Sequence, residues 1–245
     1  MRTILSLLTT IAQLAATGAS ASRADERPLP VFVLAGTSNM LGSSAKLENL
    51  PKELQEPTKD VLSWRQGEWL PLEPGKNLVG NEATFGQALA KHLGRPVGIH
   101  WISVRYVASP SPGPSLSNLV KQSRERGRPI EIVGMLLDVS YGDGLKEETA
   151  KAYGEGLVRW VEALRRDLDD ADLPIVLMRA IPPQSAKSHL ETVRQAQDAL
   201  KVASLRVVKS DDIERGGDRV HFTTAGRLML GRRYAEAMIE LLPSK

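Results

Sequence analysis

Short apolar runs recur along the chain at 31–34, 97–103, 130–138, 174–178 and 205–208. Several are near-continuous stretches of β-branched residues and leucine, the pattern of parallel strands covered on both faces. Between and after them lie segments with helical spacing, at 82–93, 116–126, 145–168, 188–203 and 223–242. In 145–168 the apolar residues Leu157, Trp160, Val161, Leu164 and Leu168 mark one buried stripe. Thr223 or Thr224 is placed to cap the last helix, and Pro243 to end it. Alternating strands and helices predict a parallel sheet with right-handed crossovers. The expected architecture is a three-layer α/β/α sandwich, with residues 22–245 forming one domain. Residues 43–81 have no clear period and hold several prolines and glycines. So long an irregular stretch reads as a lid or a substrate wall. Residues 104–115, with Pro110, Pro112 and Pro114, read the same way.

Composition narrows the picture. The chain has 245 residues, of which 42% are hydrophobic, enough for a sizeable core. Its net charge of +3 is dispersed, and no basic patch interleaved with aromatics points to nucleic acid. The densest basic run, 121–128, is interrupted by Glu125 and reads as a solvated helix end. Residues 1–21 read as a secretory signal peptide. Arg2 gives a positive start, 4–16 is mostly apolar but too short for a membrane span, and Ala19-Ser20-Ala21 offers a small-residue cleavage site. The expectation is an exported chain, periplasmic or extracellular, starting near Ser22. The chain has no cysteine, which excludes disulfides and thiolate metal sites. His92, His100 and His189 are scattered without ligand spacing, so neither a metal nor any other cofactor is expected.

The chemistry-bearing residues lie at the two ends of the fold pattern. Gly36-Thr37-Ser38-Asn39-Met40 follows the first strand, and open α/β sheets place reactive groups in such turns. Asp218-Arg219-Val220-His221 holds a carboxylate and an imidazole three residues apart, just before the last helix. A serine hydroxyl is a weak nucleophile until a base takes its proton. His221 is the candidate base and Asp218 the acid that orients it. Each has a plainer reading: Ser38 as a helix cap, His221 as a packing residue and Asp218 as a turn residue after Gly216-Gly217. Trp64 and Trp69 read equally as core or as a sugar-stacking wall, and Trp101 as core.

These motifs resemble the SGNH hydrolase superfamily, and within it the branch of sialate O-acetylesterases and family-six acetylxylan esterases. That branch carries a strand followed by Gly-Gln-Ser-Asn-Met, matched here by residues 33–40 except at Thr37. It closes with Asp-x-x-His and a helix of the Leu-Gly-x-Arg type, matched by 218–222 and by Leu230-Gly231-Arg232-Arg233. The resemblance implies a flavodoxin-like sheet and a Ser38–His221–Asp218 acyl transfer that removes short acyl groups, acetyl above all, from a carbohydrate. Gly36, Thr37 and Asn39, with Arg105, Tyr106 and Asp143 from the segments that depart from the family, are the candidate oxyanion or substrate-binding residues. Arg105 is placed to substitute as a cationic donor, while Asp138 and Asp143 read either as a polar patch beside the site or, more simply, as a strand-end and a loop residue. Two segments depart from the family. Where it has a glycine pair after its second strand, this chain has Ser103-Val104-Arg105-Tyr106. Where it has a Trp-His-Gln-Gly-Glu-type block, this chain has residues 137–143, with neither the amide nor the glutamate. The intact Ser–Asp–His set points to a working esterase. The altered oxyanion segments point instead to a glycan-binding relative that has lost turnover.

Overall fold

The computed structural model describes residues 27–42, 45–75, 80–185 and 188–243. The expected signal peptide at 1–21 lies outside the described residues. Seven strands form one sheet: β1 (Leu29–Gly36), β2 (Thr58–Arg65), β3 (Glu68–Leu72), β4 (Val97–Ser103), β5 (Ile130–Asp138), β6 (Ile175–Met178) and β7 (Leu205–Val208), in the order β3-β2-β4-β1-β5-β6-β7. All neighbours are parallel except the antiparallel β2–β3 pair. The helices are α1 (Glu82–Leu93), α2 (Gly113–Glu125), α3 (Glu147–Leu168), α4 (Leu190–Asp198) and α5 (Thr224–Leu241). α1 packs with α5 on one face of the sheet, and α3 packs with α2 and α4 on the other. This is the three-layer α/β/α sandwich that the alternating pattern predicts.

β1 is the centre of the fold, and all eight of its residues are buried. Its neighbours, β4 and β5, both run parallel to it. A strand in that position must be apolar on both sides, and Leu29-Pro30-Val31-Phe32-Val33-Leu34-Ala35-Gly36 is. Phe32 meets Phe85 of α1 edge-on, with ring centroids 5.3 Å apart. Each such side chain contributes about 1.5–3 kcal/mol by leaving water. The strand's position therefore fixes where its last residue, Gly36, releases the chain.

The stretch 43–81 differs from expectation. It is not a free lid, because it contributes β2 and β3 to the sheet edge. A two-residue loop joins them, with Gln66 and Gly67 both at positive φ (53° and 84°), the geometry that suits the right-handed twist of a hairpin. Trp64 pairs directly with Trp69 across the hairpin, centroids 5.4 Å apart, and Trp69 Nε1–H donates to Ser123 Oγ at 2.9 Å. Both indoles are half-buried and pack against the core. Trp101 also packs there, as expected. α2 begins earlier than its apolar period suggests, because Pro114 falls in the first turn, where a missing N–H costs nothing. α4 is shorter than the predicted 188–203.

Candidate active site

β1 ends in a close approach. A Cβ on Gly36 would lie 2.9 Å from both the Asp138 carbonyl oxygen and Met40 Cβ, so only glycine lets the chain turn tightly against β5. The turn that follows presents Ser38. On the far side of the cleft, residues 216–221 form a compact loop. Gly216 N–H donates to the His221 carbonyl (2.8 Å), Arg219 N–H donates to the Gly216 carbonyl (2.9 Å), and Arg219 sits at φ 59°. A non-glycine residue in that region is strained, and such strain gathers at functional loops. Directly after this loop, Thr223 Oγ1 caps α5 by accepting from Gly226 N–H at 3.1 Å, which anchors the chain just beyond His221.

The fold brings Ser38, His221 and Asp218 into one line. Ser38 Oγ lies 2.8 Å from His221 Nε2, and His221 Nδ1 lies 2.6 Å from Asp218 Oδ2. Asp218 Oδ1 accepts from the backbone N–H groups of Val220 and His221, each at 2.9 Å. The bond from His221, followed by these backbone bonds, holds the Asp218 carboxyl well below the usual carboxylate range. An ionised carboxylate only accepts, so Nδ1 carries the proton and donates. With Nδ1 carrying its proton toward Asp218, an unprotonated Nε2 accepts from Ser38 Oγ–H. This is the geometry in which an imidazole can take a proton from a serine hydroxyl.

Several residues hold this line in place. The side chain of Asn39 spans the cleft: Nδ2 donates to the Val220 carbonyl at 3.1 Å, and Oδ1 accepts from Phe222 N–H at 3.3 Å. It thereby ties the serine turn to the histidine loop. Arg227, one turn into α5 and fully buried, donates to the Asn39 carbonyl and, at 3.4 Å, to the Ser38 carbonyl. Burial lowers its guanidinium to about 10, while Glu82 and Asp138 pull the other way. Burial also raises Glu82 and pushes Asp138 up to about 6. Asn81 Nδ2 adds a weaker bond to the Asn39 carbonyl at 3.4 Å. Arg227, Glu82 and Asn81 escaped the sequence reading because a charged or amide residue in a surface-type helix pattern carries no mark of facing inward. Only the close approach of α1 and α5 turns them under the Ser38 turn. A Cβ at Gly231 would lie 2.3 Å from the Asn81 carbonyl oxygen, and Thr84 Oγ1–H donates to the Leu228 carbonyl at 2.9 Å.

Ser38 and His221 face a cavity of about 400 Å³. Met178, Ile181 and Val220 give it apolar walls, and Thr37, Asp138, Ser140 and Tyr141 add polar groups. Of the candidate substrate-binding residues, Thr37 and Asn39 line this cavity, and Gly36 shapes the turn beneath it. Arg105, Tyr106 and Asp143 do not line it. Arg105 and Tyr106 are exposed, held away because the chain after β4 turns outward once Val104 N–H has bonded the Gly36 carbonyl at 3.1 Å. Asp143 is buried one loop further on, where its Oδ2 accepts from Val107 N–H at 3.3 Å, and burial pushes its carboxyl up to about 6. Its place is in loop packing. Ser140 and Tyr141 line the cavity in its stead; in the sequence they stood only as part of a departure from the family block.

A three-layer α/β/α sandwich with a Ser–His–Asp line at the carboxyl edge of its sheet defines a hydrolase-type protein. The family model described as carbohydrate esterase, sialic acid-specific acetylesterase, matches residues 28–240, and the chain belongs to that family of carboxylic ester hydrolases. A probable carbohydrate esterase of Arabidopsis thaliana is 24% identical over 249 residues, covering 87% of this chain and 93% of that protein. The X-ray structure of that protein matches with a TM-score of 0.73 at 23% identity, over 87% of this chain and 99% of the other. NanS matches with a TM-score of 0.63 at 15% identity, over 87% of this chain and 97% of NanS. A carbohydrate acetylesterase from Xanthomonas citri matches with a TM-score of 0.64 at 16% identity, over 85% of this chain and 55% of the other. At these identities the solved structures establish the fold. No described helix is long and apolar enough to cross a membrane.

Proposed function

We propose that this protein is an exported serine esterase that removes acetyl groups from carbohydrate by two-step acyl transfer through Ser38, His221 and Asp218. Ser38 Oγ attacks the ester carbonyl carbon while its proton passes to His221 Nε2. The tetrahedral intermediate collapses as His221 returns that proton to the departing sugar oxygen, leaving acetyl-Ser38. A water molecule, deprotonated by His221, attacks the acetyl carbonyl. The second collapse releases acetic acid, with Ser38 recovering its proton from His221. Asp218 stays ionised throughout and stabilises the imidazolium.

The observation that carries this reading is the unbroken line from Ser38 Oγ to His221 Nε2 (2.8 Å) and from Nδ1 to Asp218 Oδ2 (2.6 Å), opening onto a cavity. The apolar walls of Met178, Ile181 and Val220 suit a short acyl chain, and the family supplies the carbohydrate ester. Export rests on the pattern of residues 1–21. Hydrolysis of a chromogenic acetate ester tests the mechanism. Wild type should turn it over, and Ser38→Ala should lose about 1000-fold or more in kcat. Equal background rates for both proteins would leave a glycan-binding scaffold as the surviving reading.

A further inference from the structure

We infer that the Ser140 hydroxyl is a catalytic hydrogen-bond donor, which stabilises the negative charge that develops on the ester carbonyl oxygen when Ser38 attacks. The inference rests on the acyl-transfer reading above. That chemistry needs donors fixed in advance where the oxyanion forms. One is at hand in the nucleophile turn, since the Ser38 N–H has no acceptor among the described residues. A second must come from a side chain or loop across the cavity.

The parallel register of β1 and β5 brings the strand ends that lead to Ser38 and Ser140 side by side. Gly36 pairs with Asp138, the last pair of that ladder, and Ser38 and Ser140 each follow two residues later. The two strand ends are in the close contact that Gly36 permits. Both serines line the same cavity as His221. Ser140 itself is 3% exposed.

That segment is also held rigidly. The Tyr153 hydroxyl donates to the Val139 carbonyl at 2.7 Å, and is itself bonded by Gln197 Nε2 at 2.9 Å. The Ser140 carbonyl accepts from Gly144 N–H at 3.0 Å. The backbone on both sides of the Ser140 side chain is therefore pinned, while its hydroxyl bonds no described residue. A hydroxyl without a partner among the described residues, on a fixed backbone at the wall of a cavity, is a donor kept free for whatever enters. Of the other polar groups there, Thr37 sits beside Ser38 in the same turn rather than across the cavity, and the Asp138 carboxyl only accepts when ionised. Asn39 uses both ends of its amide to join the two loops, and Tyr141 is 41% exposed at the cavity rim. The missing amide of the altered block is thus made good by a smaller group closer to the strand end.

The test is the kinetics of Ser140→Ala and Ser140→Cys on a chromogenic acetate ester, with inhibition by methylboronic acid as a tetrahedral mimic. Cysteine keeps the shape of serine and donates weakly, so it guards against a loss caused by repacking. We expect both variants to lose about 100- to 1000-fold in kcat with KM changed by less than about 3-fold. Inhibition by the boronate should weaken in parallel, while the melting temperature stays near that of wild type. A kcat within about 3-fold of wild type in both variants, or a larger loss in Tyr141→Phe than in Ser140→Cys, overturns the assignment. Absence of turnover in wild type itself would strike at the acyl-transfer reading instead.

Discussion

The two edges of the same sheet each carry a hollow, and the larger one is at the edge without the reactive line. At the amino edge a cavity of about 480 Å³ lies among Pro30, Arg95, Glu131, Asp172, Pro174 and Leu242. At the carboxyl edge the cavity is smaller, about 400 Å³, yet it alone receives the Ser38–His221–Asp218 line. Chain direction explains the difference. Strands β1 and β5 both release their chains at the carboxyl edge, and the loop into α5 returns there. Residues far apart in sequence therefore meet at that edge. The amino edge collects the ends of α1 and α5, whose last turns stop at Leu93 and Leu241. Volume alone does not mark the site; the convergence of strand ends does.

The contrast extends to burial of charge, and it can be sharpened by experiment. Beneath the carboxyl edge, Arg227, Glu82 and Asp138 are buried together. Burial pushes Asp138 up to about 6, above its unfolded value of about 3.9. A carboxyl shifted upward by folding favours the protonated form, so its contribution to stability is fully present below pH 4 and is lost as pH rises toward 6. In Asp138→Asn that dependence disappears. The variant's unfolding free energy relative to wild type should improve by up to about 3 kcal/mol between pH 4 and pH 7, read from denaturant curves across that range. A flat difference would mean that Asp138 is ionised throughout.

A smaller effect probes how the two loops are held. Asn39→Ala removes both bonds across the cleft while sparing the reacting groups, so the serine turn and the histidine loop drift apart slightly. Slight misplacement of reacting groups is costly, and kcat should fall by about 10- to 100-fold. Glu131→Gln, at the amino-edge cavity, should leave kcat within about 2-fold of wild type. If the two variants had similar effects, the distinction between the edges would collapse.

Much of this was legible in the chain, for physical reasons. Strands covered on both faces must be near-continuous apolar runs, and 97–103 and 130–138 appear as β4 and β5 with those limits; 205–208 appears as the edge strand β7. The α1 limits of 82–93 were equally plain, because one face of that helix is apolar. β2 and β3 were not legible. An edge hairpin has a short apolar stretch and a Gln66-Gly67 turn that lacks the usual asparagine, so its period is weak. In the site, Ser38, His221 and Asp218 stood out by residue type and spacing, and the fold brings them together. Arg105, Tyr106 and Asp143 lie in the segments that depart from the family, and loop direction after β4 and β5 is set by backbone bonds that no local pattern encodes. Ser140 and Arg227 were missed for a related reason: whether a serine or arginine faces inward is decided by its neighbours across the fold.

The central claim is that Ser38 is made nucleophilic by His221, and labelling with a fluorophosphonate tests it most directly. Wild type should acquire one covalent adduct, mapped by peptide mass spectrometry to Ser38, and labelling should be lost in Ser38→Ala and slowed by about 1000-fold or more in His221→Ala. An adduct on another residue, or labelling of Ser38 at an unchanged rate without the imidazole, would contradict the account.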